Sequence, residues 1–349
     1  MQFCHLHTHT EYSLLDGEAS IKKLVARVKE LGMDSCAITD HGSMYGVVDF
    51  YREAKSQGIH PVIGCEVYMA PRSRFDKVHD IDNKTSHLIL LAENQKGYKN
   101  LIKLVSAGYI DGFYYKPRID FEMLKEHSEG IIALSAFISG EVPKALLRGD
   151  YDEAKKIALK YAEVLGKDNY FLEIQDHGLS EQKRIIPDML RLSEETGIGL
   201  VATNDIHYLK KEDAKYQDVL MCIQMEKKVD DPDRMKFETE GTNHRREGNP
   251  WQRACRVRIY LSAGRRSQAG ICPGDDAGKY RQLYWRPSVR CREDHPDRHA
   301  GQPDSGYCGR VHYELPRPDP VRQSPAPAGA DPDGAAQGKR DPRSQQGGV

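Results

Sequence analysis

The sequence predicts an α/β fold for residues 1–240: a parallel sheet with crossover helices, closed or nearly closed as a barrel, followed by a largely disordered tail. Three observations carry this. Short apolar runs alternate with helical patterns about seven times, as successive strand–helix units do. Residues with metal-ligand chemistry recur where those strands end, which is where such folds gather their chemistry. After about Glu240 the periodicity stops and the composition changes.

In chain order, the stretch from Phe3 to about Thr8 reads as a first strand. Ser20 is placed to cap a helix running to Leu31, stopped by Gly32. Ser35–Thr39 reads as a buried strand, Val47–Gln57 as a helix ending at Gly58, and Pro61–Met69 as a strand. His87–Ala92 reads as a strand followed by a helix from Gln95 to Ala107. Gly130–Ser135 is a strand, with helices after Gly140 and from Asp150 to Leu165. Tyr170–Ile174 and Ile198–Ala202 are the last strands, separated by a helix from Ser180 to Thr196 and followed by a helix after Lys210.

The N-terminal stretch organises the rest. His5, His7 and His9 alternate, so on an extended strand they share a face. The last two then point together past its carboxyl end, and neutral imidazole is the commonest metal ligand. Asp40-His41 follow the second strand, Asp176-His177 the sixth, and Asp205 and His207 the seventh. Glu66 lies inside the apolar run Val62–Tyr68, where a carboxylate needs a partner, either a metal or a salt bridge. Two positions admit other readings: Asp40-His41-Gly42 as an ordinary turn, and His87, at the start of its strand rather than the end, as a core histidine. So many nitrogen and oxygen donors suit zinc, manganese or iron, and more than one ion.

The segments His7–Gly17, Thr39-Asp40-His41-Gly42, Gly64–Tyr68 and Asn204–Tyr208 resemble the PHP (polymerase and histidinol phosphatase) domain. His87–Ala92 with Gly97–Leu101, and Gly108–Arg118, are similar to the N-terminus of bacterial replicative DNA polymerase III alpha subunits. The resemblance runs from Phe3 to about Glu240. It implies a distorted seven-stranded barrel holding up to three divalent metals, zinc or manganese, on His7, His9, Asp16, His41, Glu66, His87, Asp205 and His207. Asp40 would orient a neighbouring histidine. The family's remaining ligand, usually a cysteine, falls on Phe137, which cannot bind a metal.

The resemblance further implies a metal-dependent phosphoesterase, with 3′–5′ exonuclease action as its expected form, within the N-terminal part of a polymerase whose palm is absent from this chain. DNA, a sliding clamp and a proofreading subunit would be its partners. The alternative is a PHP scaffold without catalysis, favoured by Phe137, and a more distant one is a free-standing phosphatase of the histidinol-phosphate type.

Composition sets the remaining bounds. Residues 1–240 carry 32 Lys+Arg against 40 Asp+Glu, a net of −8, which predicts that this part does not hold DNA alone. Residues 241–349 carry 19 against 12, with 17 Arg to 2 Lys, 12 of the 18 prolines, and only ten Leu, Ile or Val. That apolar content is too low for a packed core. A Pro-rich linker or an Arg-rich nucleic-acid tail would fit in part. Both tryptophans, four cysteines and four histidines are scattered through it without pattern, so out-of-frame translation after about Glu240 is the preferred reading. No apolar run approaches the ~18 residues of a membrane span. No secretory signal is visible and no C-x-x-C pair occurs, so a cytoplasmic setting is expected.

Overall fold

A computed structural model of the chain describes residues 3–234, together with two three-residue strands, Tyr260–Ser262 and Arg310–His312, which pair with each other in parallel. The predicted tail otherwise lies outside the described residues.

The predicted alternation is present. Its elements are α1 (Ile21–Glu30), β1 (Ser35–Ile38), α2 (Val47–Ser56), β2 (His60–Met69), β3 (Ser86–Ala92), α3 (Gln95–Ile110), β4 (Arg118–Ile119), α4 (Phe121–Glu126), β5 (Ile131–Leu134), α5 (Glu141–Leu147), α6 (Tyr151–Leu165), β6 (Tyr170–Ile174), α7 (Ser180–Thr196), β7 (Gly199–Ala202) and α8 (Ala214–Gln224). They build a seven-stranded sheet in the order β1-β2-β3-β5-β6-β7, with β4 paired to β2. The strand expected at Phe3–Thr8 is not a regular strand: the chain bends at Leu6 and His7, and only Thr8 makes a bridge. It divides its hydrogen bonds between two edges, so no regular ladder repeats. Ala37 N donates to His5 O and Thr39 N to Thr8 O on the β1 side, while His9 N donates to Ile206 O and Ile206 N to His7 O beyond β7. The segment therefore closes the curled sheet.

The sheet is not wholly parallel. β3 runs antiparallel to both β2 and β5. A parallel return needs a crossover, usually a helix, and the connection Ala70–Thr85 contains none. The reversal brings the start of β3 to the end of the barrel where the other strands finish, which accounts for the odd position of His87. Ser20 is also not a side-chain cap. It occupies the N-cap position of α1 without a capping bond, and Glu11 Oε1 accepts from Ile21 N instead, at 3.2 Å.

Strand alternation sorts the core into layers. Val62, Ile89, Leu91, Leu134 and Phe171 pack with Leu6 in one cluster inside the barrel. Leu88, Leu90, Ala133 and Leu172 face the other way, into the cluster that includes residues of α3, α5, α6 and α7. α3 is seated by a glycine contact. Gly97 lies so close to Gly130 that an added Cβ would sit 1.7 Å from Gly130 O. Gly→Ala inside a helix ordinarily stabilises by about 1 kcal/mol. Here Gly97→Ala is expected to lose about 1–3 kcal/mol through overpacking, read as a fall in the thermal midpoint.

Candidate metal centre

At the closing seam the segments after β1 and β7 meet the N-terminal stretch and the β2–β3 ladder, and all eight sequence-predicted ligand residues are brought to this end. Glu66 is their centre. Its Oε2 lies 3.3 Å from His7 Nε2, 3.1 Å from His9 Nε2 and 3.0 Å from His41 Nδ1, and its Oε1 lies 2.7 Å from His87 Nδ1. Asp205 Oδ1 lies 3.1 Å from both His7 Nε2 and His9 Nε2. Asp16 Oδ2 lies 3.3 Å from His41 Nε2, and Asp16 Oδ1 lies 3.9 Å from His207 Nε2. The His9 ring stacks against those of both His41 and His207, at centroid distances of 4.1 and 4.4 Å.

Local sequence explains each placement. Glu66 is on β2 opposite Ile89, with an isolated parallel bridge to His41. Gly42 has φ +59°, and a Cβ there would meet Tyr68 and Pro117 at 2.9 Å, so the turn after His41 needs glycine. Other backbone strain flanks the site: Leu15, Ala136, Ile138 and Asp205 all have positive φ without being glycine. Such strain persists only where surrounding structure enforces it.

The hydrogen bonds behind the rings decide which nitrogen faces inward. His7 Nδ1 lies 2.8 Å from Glu173 Oε1 and donates to it. His207 Nδ1 donates to Asp205 O at 3.0 Å. Ser13 Oγ donates to Asp40 Oδ1 at 2.7 Å, so it accepts from His9 Nδ1 at 3.1 Å. In the neutral form of each ring, the form that binds a metal, the Nε2 lone pair is then turned toward the cluster. Asp40 thus reaches His9 through Ser13, and its carboxylate also holds the backbone N–H of Thr10 at 2.6 Å.

Charge balance follows from the same contacts. Burial alone would push the His7 imidazole down, but the Asp205, Glu173 and Glu66 charges outweigh it and hold it well above its ordinary value. His41 is likewise held at about 10, the carboxylates of Glu66 and Asp16 overcoming its burial. His207 goes the other way, to about 4, because burial dominates. Glu66 and Asp205 stay well below the usual carboxylate range: burial opposes this, but the histidines around them outweigh it.

This donor set fits a divalent cation. Three overlapping triads (His7-His9-Glu66, His41-Glu66-His87 and His9-His41-His207) each place their ligand atoms within 4.8 Å of one another. In the first, the separations are 3.1, 3.3 and 3.1 Å. A tetrahedron with ligands at 2.0–2.1 Å has edges of about 3.3 Å. Two ring nitrogens facing each other at 3.1 Å can share at most one proton, which a cation between them relieves.

Two contributors escaped the sequence reading. Glu173 is fully buried and also accepts hydrogen bonds from Thr203 Oγ1 and Gln175 Nε2. Its signal was available: a carboxylate inside the apolar strand Tyr170–Ile174, as with Glu66. Gln217 of α8 donates to Asp16 O at 2.8 Å and accepts from Glu18 N at 3.0 Å, fixing the Asp16 loop, and nothing local in sequence marks it. His177 was noted with the strand-end residues but stands apart from the triads. It bonds Asn204 O and Gln182, and Asp176 accepts from Gly178 N in a turn. Phe137 is buried and packs in the cluster shared with the helices.

A model of the PHP domain family matches residues 5–177, a span holding six of the eight candidate ligands. Over 241 residues the chain is 49% identical to the DNA polymerase III subunit alpha of Treponema pallidum, covering 69% of this chain and 21% of that one. It is 44% identical over 241 residues to the protein of the same name from Thermus aquaticus, covering 68% and 20%. This chain carries a PHP domain. It spans about a fifth of the length of these curated relatives. Among solved structures, a two-domain protein from Bacteroides vulgatus, described as containing a predicted PHP-like metal-dependent phosphoesterase, overlaps at a TM-score of 0.34 with 15% identity, covering 58% of this chain and 51% of that one. Asp205 and His207 lie beyond the matched span of the PHP domain, and the Thr8–Ile206 bridge returns them to it.

The mouth of the site is a cavity of about 350 Å³ lined by Tyr12, Tyr45, Tyr68, Tyr109 and Lys116 beside Asp16, His41 and His87. Among the described residues no helix is long and apolar enough to cross a membrane.

We expect Glu173→Gln to keep an acceptor near His7 Nδ1 but remove the charge. Divalent-metal affinity should fall about 10–100-fold, the usual cost of losing an outer partner, with the fold retained by circular dichroism. Unchanged affinity in a metal titration would mean that Glu173 does not tune His7.

Proposed function

We propose that the PHP domain of this chain is a metal-dependent phosphoesterase acting on nucleic-acid 3′ ends, part of a replicative polymerase alpha subunit that works with DNA, a sliding clamp and a proofreading subunit in the cytoplasm. The observation that carries the reading is the convergence of four imidazoles on one buried carboxylate, Glu66. His7, His9, Asp16, His41, Glu66, His87, Asp205 and His207 would hold up to three ions, zinc or manganese. Bound there, such ions supply hydroxide near neutral pH and stabilise the phosphate and leaving oxygens. The chain's own residues do the rest. Glu173, Ser13 and the Asp205 carbonyl hold the imidazoles in one tautomer. Asp16 and Asp205, about a quarter exposed, face the solvent side. The tyrosine-lined mouth supplies flat surfaces against which a terminal base can rest.

The second reading, a PHP scaffold without catalysis, is favoured by Phe137 in place of a ligand. Metal content separates the two: about three ions per chain supports the first, none the second. The activity test is trimming of a mispaired 3′ end by the full chain with manganese, beside Phe137→Cys. The substitution should raise both metal content and trimming, at a cost of about 2–4 kcal/mol in lost core packing. No trimming by the native sequence with any metal, and trimming by Phe137→Cys, would assign the native chain to the scaffold reading.

Residues 241–349 are proposed to be read out of frame. Resequencing the coding DNA across Lys236–Arg245 tests this: a single inserted or deleted base that restores similarity to the alpha subunits supports it, and an intact frame refutes it.

A further inference from the structure

Residues 1–240 are acidic overall, yet one cleft among them is not. It has a volume of about 820 Å³ and lies between the segment after β2 and helices α4, α5 and α6, with seven cationic side chains against four carboxylates. Three of those carboxylates are already engaged. Asp120 pairs with Arg74 and caps α4, Glu153 lies 3.7 Å from Lys156, and Glu141 accepts from Ser86 and Tyr161. On the cationic side, Lys84, Arg148 and Lys160 make no ion pair with any described residue, and Lys144 Nζ reaches only the carbonyl of Thr85. Lys160 Nζ lies 3.6 Å from the Phe121 ring centroid and Arg72 pairs with Asp82, so the positive charge is in excess and Lys84 and Arg148 are its unpaired part.

The second observation is aromatic. Phe75 lines the same cleft and is 59% exposed. The Arg74 guanidinium lies 4.3 Å from its ring centroid, and Arg74 is itself held by Asp120. A large apolar ring left in solvent, with a fixed cation beside it and the unpaired Lys84 and Arg148 lining the same cleft, pairs a stacking surface with phosphate-binding charge.

We propose that this cleft binds single-stranded nucleic acid, with phosphates along Lys84, Lys144, Arg148 and Lys160 and a base stacked on Phe75. Sequence-tolerant single-strand sites combine a basic groove with aromatic platforms in this way. An acidic peptide would use the charge but has no flat base to set on the ring. The cleft and the candidate metal centre share the β2–β3 ladder. Tyr68 and His87 are ladder partners at the mouth, and the next rung, Met69 and Ser86, lines the cleft. The inference needs neither a metal nor hydrolysis, so it stands or falls separately from the phosphoesterase reading.

The test is fluorescence anisotropy of a short labelled oligothymidylate with the full chain in EDTA. Log affinity against log salt should have a slope of about −2 to −3, given about 0.7 per neutralised phosphate on a single strand. Lys84→Glu with Arg148→Glu, both at exposed positions, should weaken binding at least ~10-fold and flatten the slope by about 1.4. Phe75→Ala should weaken it about 10-fold with the slope unchanged. Lys22→Glu with Lys29→Glu, on the exposed face of α1, should change nothing. Unchanged binding in the Lys84/Arg148 variant overturns the proposal and places any affinity elsewhere, for instance in the Arg-rich residues 241–349. Equal competition by oligoglutamate, with Phe75→Ala silent, overturns it in favour of an acidic protein partner.

Discussion

Glu66→Gln is expected to strip the PHP domain of bound divalent metal, lowering affinity beyond the about 10–100-fold that loss of an outer partner costs. The reason is position. Glu66 belongs to two of the three ligand triads and offers one oxygen to His87 and the other to His7, His9 and His41. A glutamine presents one acceptor and one donor where two acceptors are needed. Metal content by mass spectrometry after dialysis reads the effect, and a full complement of ions in the variant would show that the centre does not depend on this carboxylate.

Proton release supplies the mechanism check. Without metal, His41 is held at about 10 by Glu66 and Asp16 despite its burial, so it is protonated at neutral pH. A metal needs its lone pair, so binding expels that proton. Affinity should therefore rise with pH up to about 10, and calorimetry in two buffers of different ionisation enthalpy should count at least one proton released near pH 7. In Glu66→Gln the imidazole loses its main counter-charge and its pKa falls. Proton release near pH 7 should fall with it.

The second large effect lies away from the metals. Arg118→Met should destabilise the domain by about 3–5 kcal/mol, the range seen when a buried charged group loses its partners. Arg118 is fully buried and donates to four carbonyls, those of Gly112, Asp82, Arg74 and Asp76, at 2.7–2.9 Å. It thereby fastens the helix-free connection between β2 and β3. Methionine fills the volume but leaves those carbonyls without donors. For a domain of this size the thermal midpoint should fall by about 10 °C. Lysine should not rescue, because a single ammonium cannot span the positions that the planar guanidinium reaches. A midpoint within about 2 °C of the native value would mean that water satisfies the carbonyls. The same substitution loosens Arg74 and Phe75, so nucleic-acid binding in the cleft should weaken with it.

Most of the candidate ligands carried local signals in the sequence, whereas Asp16 and the set of eight as a whole came from the resemblance to the PHP domain, which also decided between the open readings of His41 and His87. Histidines two apart share a face wherever the chain is extended, and a carboxylate inside Val62–Tyr68 needs a partner in any context. The strand–helix alternation was legible for the same reason, since period 2 and period 3.6 are properties of short segments. Glu173 carries the same local signal as Glu66, a carboxylate inside an apolar strand. Tertiary structure alone decided the remainder. The reversal of β3, which turns His87 from an exception into a member of the cluster, depends on how Ala70–Thr85 crosses the barrel end. The grip of Gln217 on the Asp16 loop joins residues about 200 apart. The meeting of uncommitted cations with Phe75 needs the loop after β2 and helices α4–α6 to close on one another. A sequence states what each residue can do within a few neighbours; which distant groups it meets is set by the path of the chain between them, and here that path determines the closing seam and the cleft.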